Sequence, residues 1–200
     1  MGRAKQYERT ELLDRAVELF RRQGFNGTST TELVEELGVN RKSMYSEFES
    51  KQGLFEATLE HYDRNHLSRV LGPLEADDAG LESIRGAFED YASASEGRFS
   101  GLGCLMCNTA VERGATDPAS SRFTAAYLAR IDAAFRHGLG NAQQSGEIGE
   151  QANLGELAAF LTSVFVGVAA SIRAEAPPEQ LHATSKMVSD LLQTHSSPRT

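Results

Sequence analysis

Three helix starts fall within residues 29–50, and they fix what the front of this chain can become. Ser29 is followed three residues later by Glu32, the pairing of a capping box. Asn40 and Ser50 are each of the type that caps a helix by accepting from an early backbone N–H. The helices they start are short. The first carries Leu33, Val34 and Leu37 on its buried side and closes at Gly38; the second carries Met44 and Phe48, with Val39 and Met44 spaced as a hydrophobic staple. Helices of this length do not hold alone in water, so they must pack against each other and against neighbours. Two short helices joined by a tight turn make a helix-turn-helix, whose second helix fits a DNA major groove.

The flanking sequence is helical as well. Over about residues 8–23, Leu12, Leu13, Ala16, Val17 and Phe20 share one face while Glu11, Arg15, Glu18 and Arg22 take the other, and Gly24 is the stop. Ser50 opens a long fourth helix bearing Leu54, Phe55, Leu59 and Tyr62, punctuated near Gly72-Pro73 and the run ADDAG at 76–80. Leu81, Ile84, Phe88 and Tyr91 predict a helix over about 81–96. Asp117-Pro118 starts a long one with Phe123, Leu128, Ile131, Phe135 and Leu139 at helical spacing. Residues 154–174 are apolar nearly all round, which calls for burial on more than one side. There Ala158, Ala159, Gly167, Ala169 and Ala170 let another helix come close. Pro177-Pro178 leads into a last helix with Leu181, Met187, Val188, Leu191 and Leu192. The expected fold is all-α, about nine helices, with a DNA-binding domain over 1–52 and one larger helical domain over 53–200.

Charge separates the two parts. Residues 1–51 hold nine Lys or Arg against nine Asp or Glu, so the formal net charge of −8 lies wholly in the remainder, with 11 basic and 19 acidic side chains. An acidic body avoids nucleic acid except through its neutral front, where Arg41, Lys42 and Lys51 surround Tyr45 and Phe48. With 40% hydrophobic residues and a mean hydropathy of −0.37, the chain is an ordinary globular sequence. No apolar run reaches the ~18 residues of a membrane span and the N-terminus lacks a secretion signal, so the expected location is cytoplasmic, with no membrane partner. Cys104 and Cys107 are no disulfide framework. The five histidines show no metal-ligand spacing with that pair, so neither metal nor cofactor is expected.

The segment TSTTELVEELGVNRKSMYSEFESKQGLFEATL closely resembles the DNA-binding region of the tetracycline-repressor (TetR) family of bacterial transcription regulators. The resemblance rests on the lead-in Phe25 and Thr28, the Gly38-Val39 turn, the Tyr45-x-x-Phe48 pair, and Ser50-Lys51 followed by Leu54. It implies a homodimer on a palindromic double-stranded DNA operator, most simply a repressor, released by a small-molecule inducer. It also implies phosphate contacts from Thr28 and Lys51 and pairing of the last two helices with a second subunit's as a four-helix bundle. Within the recognition helix, Arg41 suits a guanine edge, and Lys42, Ser43, Tyr45 and Ser46 carry donors for bases or phosphates. Tyr45 has a second reading, a ring that packs on Met44 and Phe48. Arg3 and Lys5 fit either added phosphate or minor-groove contacts or a tail without a role.

Three positions depart from the family pattern. Val34 stands where a small Ala is usual, Asn40 where Ser or Thr is usual, and Glu47 where an aromatic or His touches DNA. Glu47 reads either as a solvent-facing residue or as an acceptor from a cytosine amino group. In the larger domain, Phe88, Tyr91, Cys104, Met106, Cys107, Phe123, Tyr127 and Phe165 are the candidate pocket walls, each of which also fits plain core. Cys104 and Cys107, at a helix start after Gly101 and Gly103, fit either inert packing or a thiol sensor. The competing class is a helical thiol-dependent enzyme or disulfide oxidoreductase using those two cysteines. A third is a helical interaction adaptor. The sequence has no phosphate-binding loop, zinc-protease signature or nucleophile elbow, so no enzyme is expected.

Overall fold

The computed structural model describes residues 9–97 and 100–195; Arg3 and Lys5 lie outside them. The order is α1 (Arg9–Gly27), α2 (Thr30–Leu37), α3 (Arg41–Phe48), α4 (Lys51–Tyr62), a π-helical turn (Asp63–Leu67), α5 (Ser68–Glu75), α6 (Leu81–Ser93), a 3-10 turn (Ala94–Glu96), α7 (Leu105–Arg113), α8 (Pro118–Gln144), α9 (Leu154–Arg173) and α10 (Pro178–Thr194). The α4, π and α5 segments form one unbroken helical run, so among the described residues the all-α expectation of about nine helices is met.

The chain divides into two compact units. The first comprises 1–66 and 104–124, the second 67–103 and 125–200. In the first, α1 presents Leu12, Leu13, Ala16, Val17, Leu19 and Phe20 as a buried stripe and packs on α2, α4 and α7. Its backbone leaves helical geometry at Gly24 (φ 75°, ψ 177°), the expected stop, before a further turn runs to Gly27. Phe20 and Phe25 both meet Phe55 edge-on, at 4.9 and 5.0 Å between ring centroids. Such aromatic pairs contribute about 0.5–1.5 kcal/mol each beyond their area.

In the second unit α6 packs on α5, α9 and α10. Phe88, Phe135 and Phe165 form a ring cluster with centroid distances of 5.4–5.8 Å, and Tyr91 stacks on Phe165 at 4.6 Å. Three apolar residues depart from the expected core: Leu128, Phe160 and Met187 are 42%, 46% and 64% exposed. The α9 helix buries Leu157, Ala158, Leu161, Phe165, Val168, Ala169 and Ile172, leaving Ala159, Phe160, Ser163, Gly167 and Ala170 on an uncovered face. By length and composition α9 is apolar enough to cross a membrane, with mean hydropathy 1.7 over a window only 39% buried. Counting uninterrupted runs misses it, because Glu156, Thr162 and Ser163 break the run without lowering the mean far.

Candidate nucleic-acid interface

Each short helix of the front unit is started as its sequence dictates. Ser29 Oγ accepts from the Glu32 N–H at 3.2 Å while the Glu32 carboxylate accepts from the Ser29 N–H at 2.7 Å. The Ser29 hydroxyl, followed by its N–H, holds the Glu32 carboxyl below its usual value. Asn40 Oδ1 accepts from the Ser43 N–H at 2.8 Å, and Ser50 Oγ from the Gly53 N–H at 3.0 Å. The turn between α2 and α3 passes through Gly38 in the left-handed region (φ 65°, ψ 31°), where a side chain is disfavoured. A Cβ on Gly53 would stand 2.1 Å from the Phe48 carbonyl oxygen, so the α3–α4 corner closes only around glycine.

These caps set α3 on a fixed face. Met44 and Phe48 are buried, at 0% and 5% exposure. Arg41, Lys42 and Ser46 are exposed, and Ser43 and Tyr45 half-buried. Tyr45 is engaged from both ends by side chains of α2 and α3. Its ring lies under the Arg41 guanidinium, 5.5 Å from centroid to Cζ, and its hydroxyl donates to Thr30 Oγ1 at 3.4 Å. That hydrogen bond, followed by the nearby Arg41, lowers the phenol's pKa. Lys51 is half-buried with Nζ 4.2 Å over the Phe25 ring. Partial burial lowers its ammonium pKa, opposed by the Glu112 carboxylate.

Two positions behave otherwise than their types suggest. Thr28 is 1% exposed and its hydroxyl donates to the Gly24 carbonyl at 2.6 Å, tying the α1–α2 connection together. The Glu47 carboxylate does not face open solvent: only 13% exposed, it accepts from Arg9 Nε at 3.1 Å.

Sequence reasoning missed Glu112 and Arg113. The Glu112 carboxylate accepts from the Phe25 and Asn26 N–H groups at 2.9 and 2.6 Å. The Arg113 guanidinium lies 3.7 Å over the Phe25 ring, donates to Gln52 Oε1 at 2.8 Å and pairs with Asp117 at 3.3 Å. Their partners Phe25, Asn26 and Gln52 lie more than sixty residues away and leave no local signal. Of the candidate pocket walls, Phe88, Tyr91, Tyr127 and Phe165 belong to the second unit, whereas Cys104, Met106, Cys107 and Phe123 belong to the first. Cys104 is the N-cap residue of α7 and Cys107 lies in its first turn, the expected helix start, with exposures of 0% and 8%. Burial pushes the Tyr62 phenol well above its ordinary value, and its hydrogen-bond partner Cys104 adds to the rise.

Residues 12–58 match the family described as bacterial regulatory proteins, tetR family, and residues 80–188 match the tetracyclin repressor-like C-terminal domain. The HTH-type transcriptional regulator YezE of Bacillus subtilis (strain 168) is 32% identical over 162 residues, spanning 80% of this chain and 84% of YezE. The HTH-type transcriptional repressor ComR of Escherichia coli (strain K12) is 29% identical over 184 residues, spanning 90% and 86%. A cysteine mutant of the TetR family transcriptional regulator CifR, solved with 26-base-pair operator DNA, superposes with a TM-score of 0.82 at 24% identity, covering 94% of this chain and 98% of that one.

Proposed function

The chain belongs to the tetracycline-repressor (TetR) family of DNA-binding transcription regulators, and from that premise we propose that it is a ligand-released homodimeric repressor which reads a palindromic operator through α3. The observation that carries this reading is the division of α3 itself. Met44 and Phe48 anchor one side in the core, so Arg41, Lys42 and Ser46 are held outward on a rigid helix rather than on a mobile loop. In this reading Arg41 reads a base edge, Lys42, Ser43, Tyr45 and Ser46 bond bases or phosphates, and Lys51 meets a phosphate. Thr28 acts by shaping the turn that precedes α2. The relatives ComR and BdcR, both named repressors, support the direction of control.

Dimerisation is supported by the uncovered small-residue face of α9. A ligand in the second unit, bounded by Phe88, Tyr91, Tyr127 and Phe165, releases DNA if it binds the DNA-free form more tightly, by the factor by which it weakens operator binding. We place the protein in the cytoplasm, as a regulator and not an enzyme. The family assignment leaves the thiol-enzyme reading without support.

The test is selection of bound duplexes from a random DNA pool, followed by titration over a range of salt. The expected result is a two-fold symmetric site with half-sites about 10–10.5 base pairs apart or a near multiple, bound with an affinity that falls steeply with salt. Recovery of unrelated sequences with no symmetric element overturns the proposal.

A further inference from the structure

Away from the DNA-facing helices, α1 and the end of α4 bring together three side chains that the regulator reading does not use. Asp14 projects from α1, His61 from the last turn of α4, and His66 from the π turn that follows. One donor atom from each lies within 4.8 Å of the other two. His61 Nε2 stands 2.7 Å and His66 Nε2 3.8 Å from the same oxygen, Asp14 Oδ1. We propose that Asp14, His61 and His66 form a binding site for one divalent transition-metal ion of the zinc class.

The π turn creates the juxtaposition. Residues five apart on an α-helix point about 140° away from each other, so His61 and His66 would diverge on a regular continuation of α4. Widening the helix to i→i+5 bonding over Asp63–Leu67 brings that spacing onto one side. Such turns are frequent at functional sites. No His-x-x-x-His pattern exists here to announce the pair, which is why the sequence suggested no metal ligand.

The donor set and spacing suit the ion. Imidazole nitrogen and carboxylate oxygen sit about 2.0–2.2 Å from zinc, which puts neighbouring donors in a tetrahedral site about 3.3 Å apart. The observed 2.7 and 3.8 Å bracket that separation, and the half-exposed Asp14 carboxylate can rotate to even them. Two imidazoles and one carboxylate favour zinc, nickel or copper(II) over magnesium or calcium. His61 is 95% buried and positioned by Asn65, whose amide lies 3.0 Å from Nδ1; His66 stacks on Tyr62 at 5.1 Å. Metal at His61 Nε2 moves the ring proton to Nδ1, so Asn65 must turn its carbonyl to accept it. A cleft of about 260 Å³, lined by Arg9, Thr10, Leu13, His61, Arg64 and Asn65, opens beside His61. The arginines on that cleft, Arg9 and Arg64, are directed to Glu47 and Glu60. An ion held here joins α1 to the helix that continues α4.

The test uses the full-length, tag-free chain stripped with a chelator. Equilibrium dialysis against micromolar Zn²⁺ is expected to load one ion per chain, with affinity lowered at least roughly tenfold by His66→Ala and by Asp14→Asn. Zinc is expected to raise the thermal midpoint of the wild type by several degrees and leave that of His66→Ala unchanged. Replacement by Co²⁺ should give ligand-field absorption without a thiolate charge-transfer band, separating this site from Cys104 and Cys107. Failure to take up zinc, uptake that survives both substitutions, or a thiolate band overturns the proposal.

Discussion

Charge and burial divide the basic residues of α3 and α4 by task. Arg41 is exposed, with its guanidinium carbon 5.5 Å from the Tyr45 ring centroid, and its fork of donors suits a guanine edge. Lys51 is a point charge held over Phe25, suited to a phosphate. Replacing Lys51 by Ala is therefore expected to weaken every duplex by a similar factor and to reduce the slope of log affinity against log salt by about one. Replacing Arg41 by Ala should instead relax discrimination at one base pair by roughly 1–3 kcal/mol. Binding titrations on matched and mismatched operators distinguish the two outcomes, and an identical pattern for both variants contradicts this division. Glu47 is paired with Arg9, which offsets its charge in part.

At the scale of the helix, the caps decide where each element begins, and one of them carries a pH dependence. Asp117 precedes α8, and its carboxylate accepts from the Ser120 N–H at 2.8 Å. Its bonds with Ser120, side chain first, and then with Arg113 lower its pKa from 3.8 to about 2. The folded value is the depressed one, so the contribution is complete above about pH 4 and is lost as pH falls towards 2. Asp117→Ala should destabilise the protein by about 1 kcal/mol near neutrality, and the gap to wild type should close as the medium is acidified. Urea unfolding midpoints at several pH values measure it; a gap that stays constant down to pH 3 refutes the assignment.

The same scale shows what was legible beforehand. The capping residues Ser29, Asn40 and Ser50, the stop at Gly24 and the turn at Gly38 act within four residues of themselves, so type and spacing revealed them. Glu112 and Asp14 act on partners from distant parts of the chain, as Arg113 does on Phe25 and Gln52, and nothing local marks those contacts. The π turn has no compositional signature at all. Helical periodicity marked Phe88 and Phe135 as core, but it marks apolar spacing alone and does not tell a face covered within the chain from one left open, as Leu128 and Met187 are.

For the molecule as a whole, the exposed small-residue face of α9 is where a second copy of this chain is expected to pack. Ala159, Ser163, Gly167 and Ala170 recur at three- and four-residue steps along α9, a strip narrow enough for close helix approach, and nothing stands within 4 Å of where a Gly167 Cβ would be. Gly167→Leu therefore meets no obstacle within the chain but should hold a second α9 away. The expected outcome is a dimer dissociation constant raised at least roughly tenfold, about 1.4 kcal/mol, with a parallel fall in operator affinity. Sedimentation equilibrium reads the first and DNA titration the second; an unchanged dimer places the interface elsewhere.

The front unit is also discontinuous in sequence, since residues 104–124 complete what 1–66 begin. On the ribosome, α1 through α4 emerge with the α7 surface that α1 packs against still unsynthesised. At about 5–20 residues per second, the remaining stretch takes on the order of 3–12 seconds. During that interval the Phe25 and Asn26 amides lack Glu112, and the Phe25 ring lacks Arg113. A nascent chain thus completes the packing of its front unit only after residues 67–103, the first third of the second unit, have emerged ahead of α7.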